Sequence, residues 1–167
     1  TSLTDRQILI LNQFFEDIVI CFDGDESGYK AALRAAENSI KELKPEKYIS
    51  FLFLPDGEDP DSFTDKNGKA NFINLSKQSK ISIHQFIFNH YKQHTENNPS
   101  SMAIFEKKLR SIAATIKDDY IKKYVLEFFL EKISSLTPHS NIGKKQFYTK
   151  KIKSLQTTQK YFNESKS

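Results

Sequence analysis

Two short acidic stretches hold the residues best suited to chemistry: Asp23-Gly24-Asp25-Glu26-Ser27-Gly28 and Leu54-Pro55-Asp56-Gly57-Glu58-Asp59-Pro60-Asp61. Neither contains Lys, Arg or His. Carboxylates crowded without a basic neighbour repel one another unless a cation neutralises them. Oxygen ligands alone favour a hard divalent ion, Mg2+ or Mn2+, and Mg2+ keeps positions for water and substrate phosphates. The chemistry expected of Asp23, Asp25, Asp59 and Asp61 together is therefore phosphoryl or nucleotidyl transfer. The plainer alternative is that Asp25 or Ser27 caps the helix that follows, and Asp61 caps another.

The elements that must position these loops are legible as apolar runs. Ile18-Val19-Ile20-Cys21-Phe22 precedes the first loop and Ile49-Ser50-Phe51-Leu52-Phe53-Leu54 the second; both read as strands covered on two faces. Between them a helix is predicted from Ser27 to about Leu43, with Ala31, Ala32, Ala35, Ala36, Ile40 and Leu43 as the stripe that lies on the sheet. Strand, helix and strand joined by a right-handed crossover make the strands parallel neighbours and bring both loops to one carboxyl-terminal edge. The four aspartates are expected to converge there. Gly24 and Gly28 permit close backbone approach, and Pro60 holds Asp59 out of helical geometry. Lys30 and Arg34, in the first turns after the DxD, are candidate phosphate contacts, although an exposed helix face accounts for them equally well.

Upstream, Ser2 or Thr4 is a plausible N-cap for a helix carrying Ile8, Leu11, Phe14 and Phe15. Beyond residue 66 the pattern becomes helical: a short helix at 71–75, one capped by Ser82 with Phe86, Ile87, His90 and Tyr91, and two more after the connector at 97–101. The expected division is a partial α/β unit over 1–66, an all-α bundle over 67–138 and a basic tail or linker over 139–167.

No run of about 18 apolar residues exists, so no membrane span is expected. The polar, acidic start predicts no signal peptide, and the lone Cys21 excludes an internal disulfide, which suits a cytoplasmic location. Charge is divided: residues 1–65 carry 14 Asp and Glu against 6 Lys and Arg, whereas residues 66–167 carry 7 against 19. The basic half suits a polyanion, or simply a solvated lysine-rich surface. In the tail, Phe147, Tyr148, Tyr161 and Phe162 among lysines fit base stacking, though an amphipathic packing helix is the better reading. The chain starts on Thr1 rather than Met, which suggests a cut or incomplete chain.

Three other patterns are only partly matched. The first loop fits the opening of a calcium EF-hand, but Arg34 stands at the twelfth position where the bidentate Glu belongs. A strand followed by DxD is also similar to haloacid dehalogenase-type phosphatases, whose later Lys and paired-Asp motifs are not found here. His90 and His94 lie i, i+4 but lack the intervening Glu and a third ligand for zinc.

The run Val19 to Ala32, followed by Phe53-Leu54-Pro55-Asp56-Gly57-Glu58-Asp59-Pro60-Asp61-Ser62-Phe63, resembles the TOPRIM region of bacterial DNA primases. The DxD is shared with topoisomerases and recombination proteins, while the Leu-Pro-Asp-Gly-Glu-Asp-Pro-Asp string is far more specific. The resemblance covers about residues 1–135. It implies that Asp23, Asp25, Asp59 and Asp61 hold divalent ions bridging a nucleoside triphosphate and the 3′ end of an RNA primer on a single-stranded DNA template. It also implies a TOPRIM glutamate before Thr1, zinc only in a separate domain outside this chain, contact with the replicative helicase through a further region, and a fragment inactive alone. A second hypothesis of a different class is a complete binding module, its acidic loops holding a structural ion and its basic half a nucleic acid or partner.

Overall fold

A computed structural model of the chain describes residues 4–136. The expected tail at 139–167 lies outside the described residues. Thr4 caps α1 (Asp5–Phe14) through a capping box with Gln7. A tight link leads to β1 (Asp17–Phe22), then α2 (Glu26–Ser39), a single 3-10 turn at Ile40–Glu42, and β2 (Tyr48–Phe53). There follow α3 (Pro60–Gln78), β3 (Ile81–Ser82), α4 (Ile83–Gln93), α5 (Pro99–Ala114) and α6 (Asp119–Leu136).

β1 and β2 pair in parallel from Asp17 opposite Tyr48 to Phe22 opposite Phe53, as the crossover requires. The sheet is mixed rather than wholly parallel. β3 joins β2 antiparallel through Ser50 with Ser82 and Phe51 with Ile81, giving the order β1-β2-β3. Two residues are too few to show an alternation in sequence, so only the helix after Ser82 was foreseen. That helix, α4, packs on α2 and β2 and supplies Phe86 and Ile87 to the core, so residues beyond 66 help to build the sheet layer.

The alanine stripe behaves as its size dictates. Ala32, Ala35 and Ala36 are fully buried and let α2 lie close on the strands; Ile40 and Leu43 continue the buried line, while Ala31 is half-buried. The apolar stripe predicted for α1 is only partly used: Ile8 is fully buried, but Phe14 and Phe15 are exposed. α3 bends at Gly68, whose φ of 82° is open to glycine and strained for other residues. The break falls between the two short helical stretches the sequence shows, one starting at Asp61 and one at 71–75.

The described residues fall into two compact units, one reaching Phe129 and one beginning at Leu130. In the first, Phe51, Leu52, Ile83, Ile87, Leu109, Ile116 and Phe129 are the larger core side chains. In the second, residues 130–136 are the last turns of α6. No helix among the described residues is long and apolar enough to cross a membrane.

Candidate active site

Because β1 and β2 end in register at Phe22 and Phe53, both acidic loops leave the sheet at the same level. The ladder extends one rung further, where the Leu54 N–H donates to the Phe22 carbonyl at 3.1 Å. The first loop then crosses against the second so closely that a β-carbon on Gly24 would stand 2.3 Å from the Leu54 oxygen and 2.4 Å from that of Pro55. Gly28 is fixed in the same way from within its own loop, its α-carbon lying over the Asp23 carbonyl so that a β-carbon would reach 2.2 Å. Two glycines thus weld the DxD turn, the start of α2 and the second loop together.

The plainer, capping reading holds for Asp25 and extends to Asp59. Asp25 is the N-cap of α2, extended at φ −109° and ψ 174°, and its Oδ1 accepts from the Gly28 N–H at 2.6 Å. Asp59 repeats the arrangement at α3 with φ −109° and ψ 172°, as Pro60 requires; its Oδ1 accepts from the Ser62 N–H at 2.7 Å. The Ser62 hydroxyl returns an acceptor to the Asp59 N–H at 3.0 Å. These bonds, the backbone one first, hold the Asp59 carboxyl below its ordinary range. Each cap spends one carboxylate oxygen. Asp61, expected as a possible cap, instead lies exposed in the first turn of α3, and Asp23 is exposed at the end of β1.

One acidic residue of the second loop is neutralised from outside it. Lys66, on α3, meets Glu58 Oε1 at 2.6 Å, and the Ser62 hydroxyl donates to Glu58 Oε2 at 2.5 Å; these bonds lower the Glu58 pKa. A separation of eight residues is no helical neighbour spacing, which hid the pair in the sequence. Among the described residues no ion pair engages Asp23, Asp25, Asp59 or Asp61, although the Lys66 charge also acts to lower the Asp59 pKa. Lys30 pairs with Glu26 at 2.5 Å on the exposed face of α2, and Arg34 is exposed one turn further.

Beneath the loops lies an aromatic cluster that sequence patterning did not single out. Tyr29, in the first turn of α2, packs on Phe53 at 5.8 Å and on Phe86 of α4 at 5.2 Å. Phe86 in turn meets Phe53 at 5.4 Å and Phe51 at 5.3 Å, and Phe22 stacks on Phe53 at 5.8 Å. The last side chains of both strands are thereby clamped to two helices, which gives the loops a rigid floor.

The donor chemistry fits a hard cation, but the carboxylates do not make a closed cage: among the described residues no three His, Cys, Asp or Glu side chains group closely enough to hold a metal. The two loops are neighbours at the backbone, but the four carboxylates expected to converge are not gathered into one cluster. That suits an ion held by one or two carboxylates with water and phosphate completing its shell. His90 and His94 have rings 5.0 Å apart, and the His90 Nδ1 is buried without a hydrogen-bond partner, but no third ligand joins them among the described residues.

Fold and loops together define a Toprim-like α/β unit continued by helices, and residues 1–64 match the family model described as Toprim-like. The DNA primase of Rickettsia felis is 33% identical over 134 residues, which is 80% of this chain and 22% of that protein. The DNA primase of Pasteurella multocida is 43% identical over 88 residues, 53% of this chain and 15% of its own length. Among solved structures, the E. coli primase catalytic core superposes with a TM-score of 0.74 at 28% identity, covering 80% of this chain and 42% of that one. A DNA primase domain from Pseudomonas aeruginosa gives 0.73 at 27% identity, covering 86% and 44%. The DnaG primase catalytic domain bound to single-stranded DNA gives 0.72 at 26%, covering 78% and 42%. The chain is a relative of bacterial DnaG-type primases that corresponds to part of their catalytic core, as the Leu-Pro-Asp-Gly-Glu-Asp-Pro-Asp string suggested. It spans about a fifth of the length of the curated relatives it matches.

Proposed function

We propose that the chain is the metal-holding part of a DNA primase, which makes short RNA primers from nucleoside triphosphates on a single-stranded DNA template. The observation that carries this reading is the seating of Gly24 on the Leu54 and Pro55 carbonyls, which makes the DxD loop and the primase-like loop immediate neighbours at one sheet edge. Mg2+ or Mn2+ there would neutralise charge on the reacting phosphate and lower the pKa of the attacking primer hydroxyl.

In this reading Asp23 and Asp61 offer exposed carboxylates, and Asp25 and Asp59 offer the oxygen that capping leaves free. Capping also fixes the orientation of those two groups before any ion arrives, which is the preorganisation that transition-state stabilisation needs. Lys30 and Arg34 serve the triphosphate, Lys30 by releasing Glu26. Zinc belongs to a domain outside this chain, the replicative helicase is met through a further region, and the protein works in the bacterial cytoplasm. The chain divides functionally into the α/β part at 1–66, the helical part at 67–138 and the basic tail.

The test is primer synthesis on a single-stranded template by the full-length protein and its Asp25→Asn variant. Asn keeps the cap and removes the charge, so synthesis is expected to fall by at least about two orders of magnitude. Undiminished synthesis by a folded variant would sink the assignment.

A further inference from the structure

At the amino-terminal end of β2, away from the acidic loops, a half-open cavity of about 350 Å3 lies between the strand, the start of α4 and α6. The strand rises about 20 Å from Tyr48 at this end to Leu54 at the other, so the cavity and the acidic loops are separate places. The cavity walls are largely apolar and include the rings of Tyr48, Tyr124 and Phe128. Tyr48 is 64% exposed and Tyr124 60%. Among the described residues neither tyrosine ring packs against another ring, and the Tyr124 face carries the Lys123 ammonium at 5.1 Å. Two large, mostly exposed aromatic rings thus line the cavity, one face of Tyr124 lying under Lys123, and a planar heterocycle can stack on them.

The charge around the cavity has one sign. Lys44 and Lys47 line it and no Asp or Glu does. Lys47 donates one hydrogen bond to the Phe15 carbonyl at 3.0 Å and keeps two N–H groups for other acceptors, and Lys44 makes no ion pair among the described residues. On the wall formed by β2, Ser50, itself only 8% exposed, lines the cavity. A hydroxyl-bearing residue in an otherwise largely apolar wall is a group that a ligand's polar edge can meet.

We infer that this cavity is a second, metal-independent site for a free nucleoside phosphate. The base lies against the Tyr48 and Tyr124 rings with its edge toward Ser50, and the phosphates lie outward on Lys44 and Lys47. The volume suits one nucleotide, and the all-cationic rim suits its phosphates. The site does not rest on the acidic loops: without a divalent ion those loops repel a phosphate, while this cavity attracts one.

Calorimetric titration of ATP into the 167-residue chain in excess EDTA tests the inference, because the chelator silences the acidic loops. Saturable binding is expected, weakened about tenfold or more by Tyr124→Ala through the lost stacking face, weakened also by Lys44→Gln, and unchanged by Asp23→Asn. Both altered side chains are exposed, and circular dichroism verifies that the variants stay folded. No binding of millimolar ATP, binding that Asp23→Asn abolishes, or binding of an oligothymidylate while ATP fails to bind would each overturn it. Loss of ATP binding in EDTA with primer synthesis intact would leave the primase reading standing, so the two can fail separately.

Discussion

The α-carbon of Gly24 lies so close to the Leu54 carbonyl that a β-carbon would come within 2.3 Å of its oxygen. This one contact sets the distance between the two acidic loops, since Gly24 sits between Asp23 and Asp25, and Leu54 opens the stretch that ends in Asp59 and Asp61. The obstructing atoms are backbone, next to the Leu54 N–H that is tied to the Phe22 carbonyl, and cannot swing aside as the end of a long side chain would.

Gly24→Ala should therefore force the loops apart. The expected cost is about 1–3 kcal/mol, the range for overpacking a tight site, read as a lower urea midpoint with an unchanged slope. Any metal affinity of the loops should fall with it. A variant as stable as the parent would show that the loops are not held by this contact.

Asp25 and Asp59 each do two jobs, and substitutions can separate them. Asp25→Asn should keep α2 capped and leave stability nearly unchanged, whereas Asp25→Ala should lose about 1 kcal/mol. Both should impair divalent-ion binding. At Asp59, Asn should likewise spare stability and Ala should not. Denaturant unfolding beside ion titration of the four variants provides the check.

His90 predicts a pH dependence. Its pKa is lowered from 6.5, first by burial and then by the neighbouring His94, with Lys108 acting in the same direction and Glu37 opposing. The folded state thus binds the proton less readily than the unfolded state. Its contribution to stability is present above pH 6.5 and is lost as pH falls through the lowered value. Urea midpoints measured from pH 7.5 down to 5 should decline, and His90→Gln should flatten that slope.

Glu42 is 4% exposed, and its carboxylate is paired with Lys117 from the turn between α5 and α6. Lys117→Met should leave a buried carboxylate without its cation. The loss should be on the order of 1–2 kcal/mol, less than for a fully buried pair, because the lysine is largely exposed and solvent screens it. Lys117→Arg should restore most of it.

Much of the site could be read from particular residues. The runs ending at Phe22 and Phe53 showed two parallel strands because their residues are apolar without alternation, and Pro60 showed that Asp59 stands outside the helix it starts. What stayed hidden depended on long-range partners. Lys66 on α3 meets Glu58 in the loop before that helix, and Tyr29 meets Phe86 only once α4 packs on α2 and the sheet. β3 is a strand because Ser50 and Phe51 offer it an edge, not because Ile81 and Ser82 carry a strand pattern. Phe14 and Phe15 fit a helical stripe by spacing, yet no described element covers them.

The central claim, that two separate loops form one cation site, is tested most directly by titrating Mn2+ into the chain by calorimetry beside an Asp23→Asn, Asp59→Asn double variant. These residues belong to different loops, and Asn preserves the cap at Asp59, so folding is spared. Saturable binding in the parent chain that disappears in the double variant is the predicted result. Equal binding in both, or none in a chain that circular dichroism shows to be folded, would contradict it.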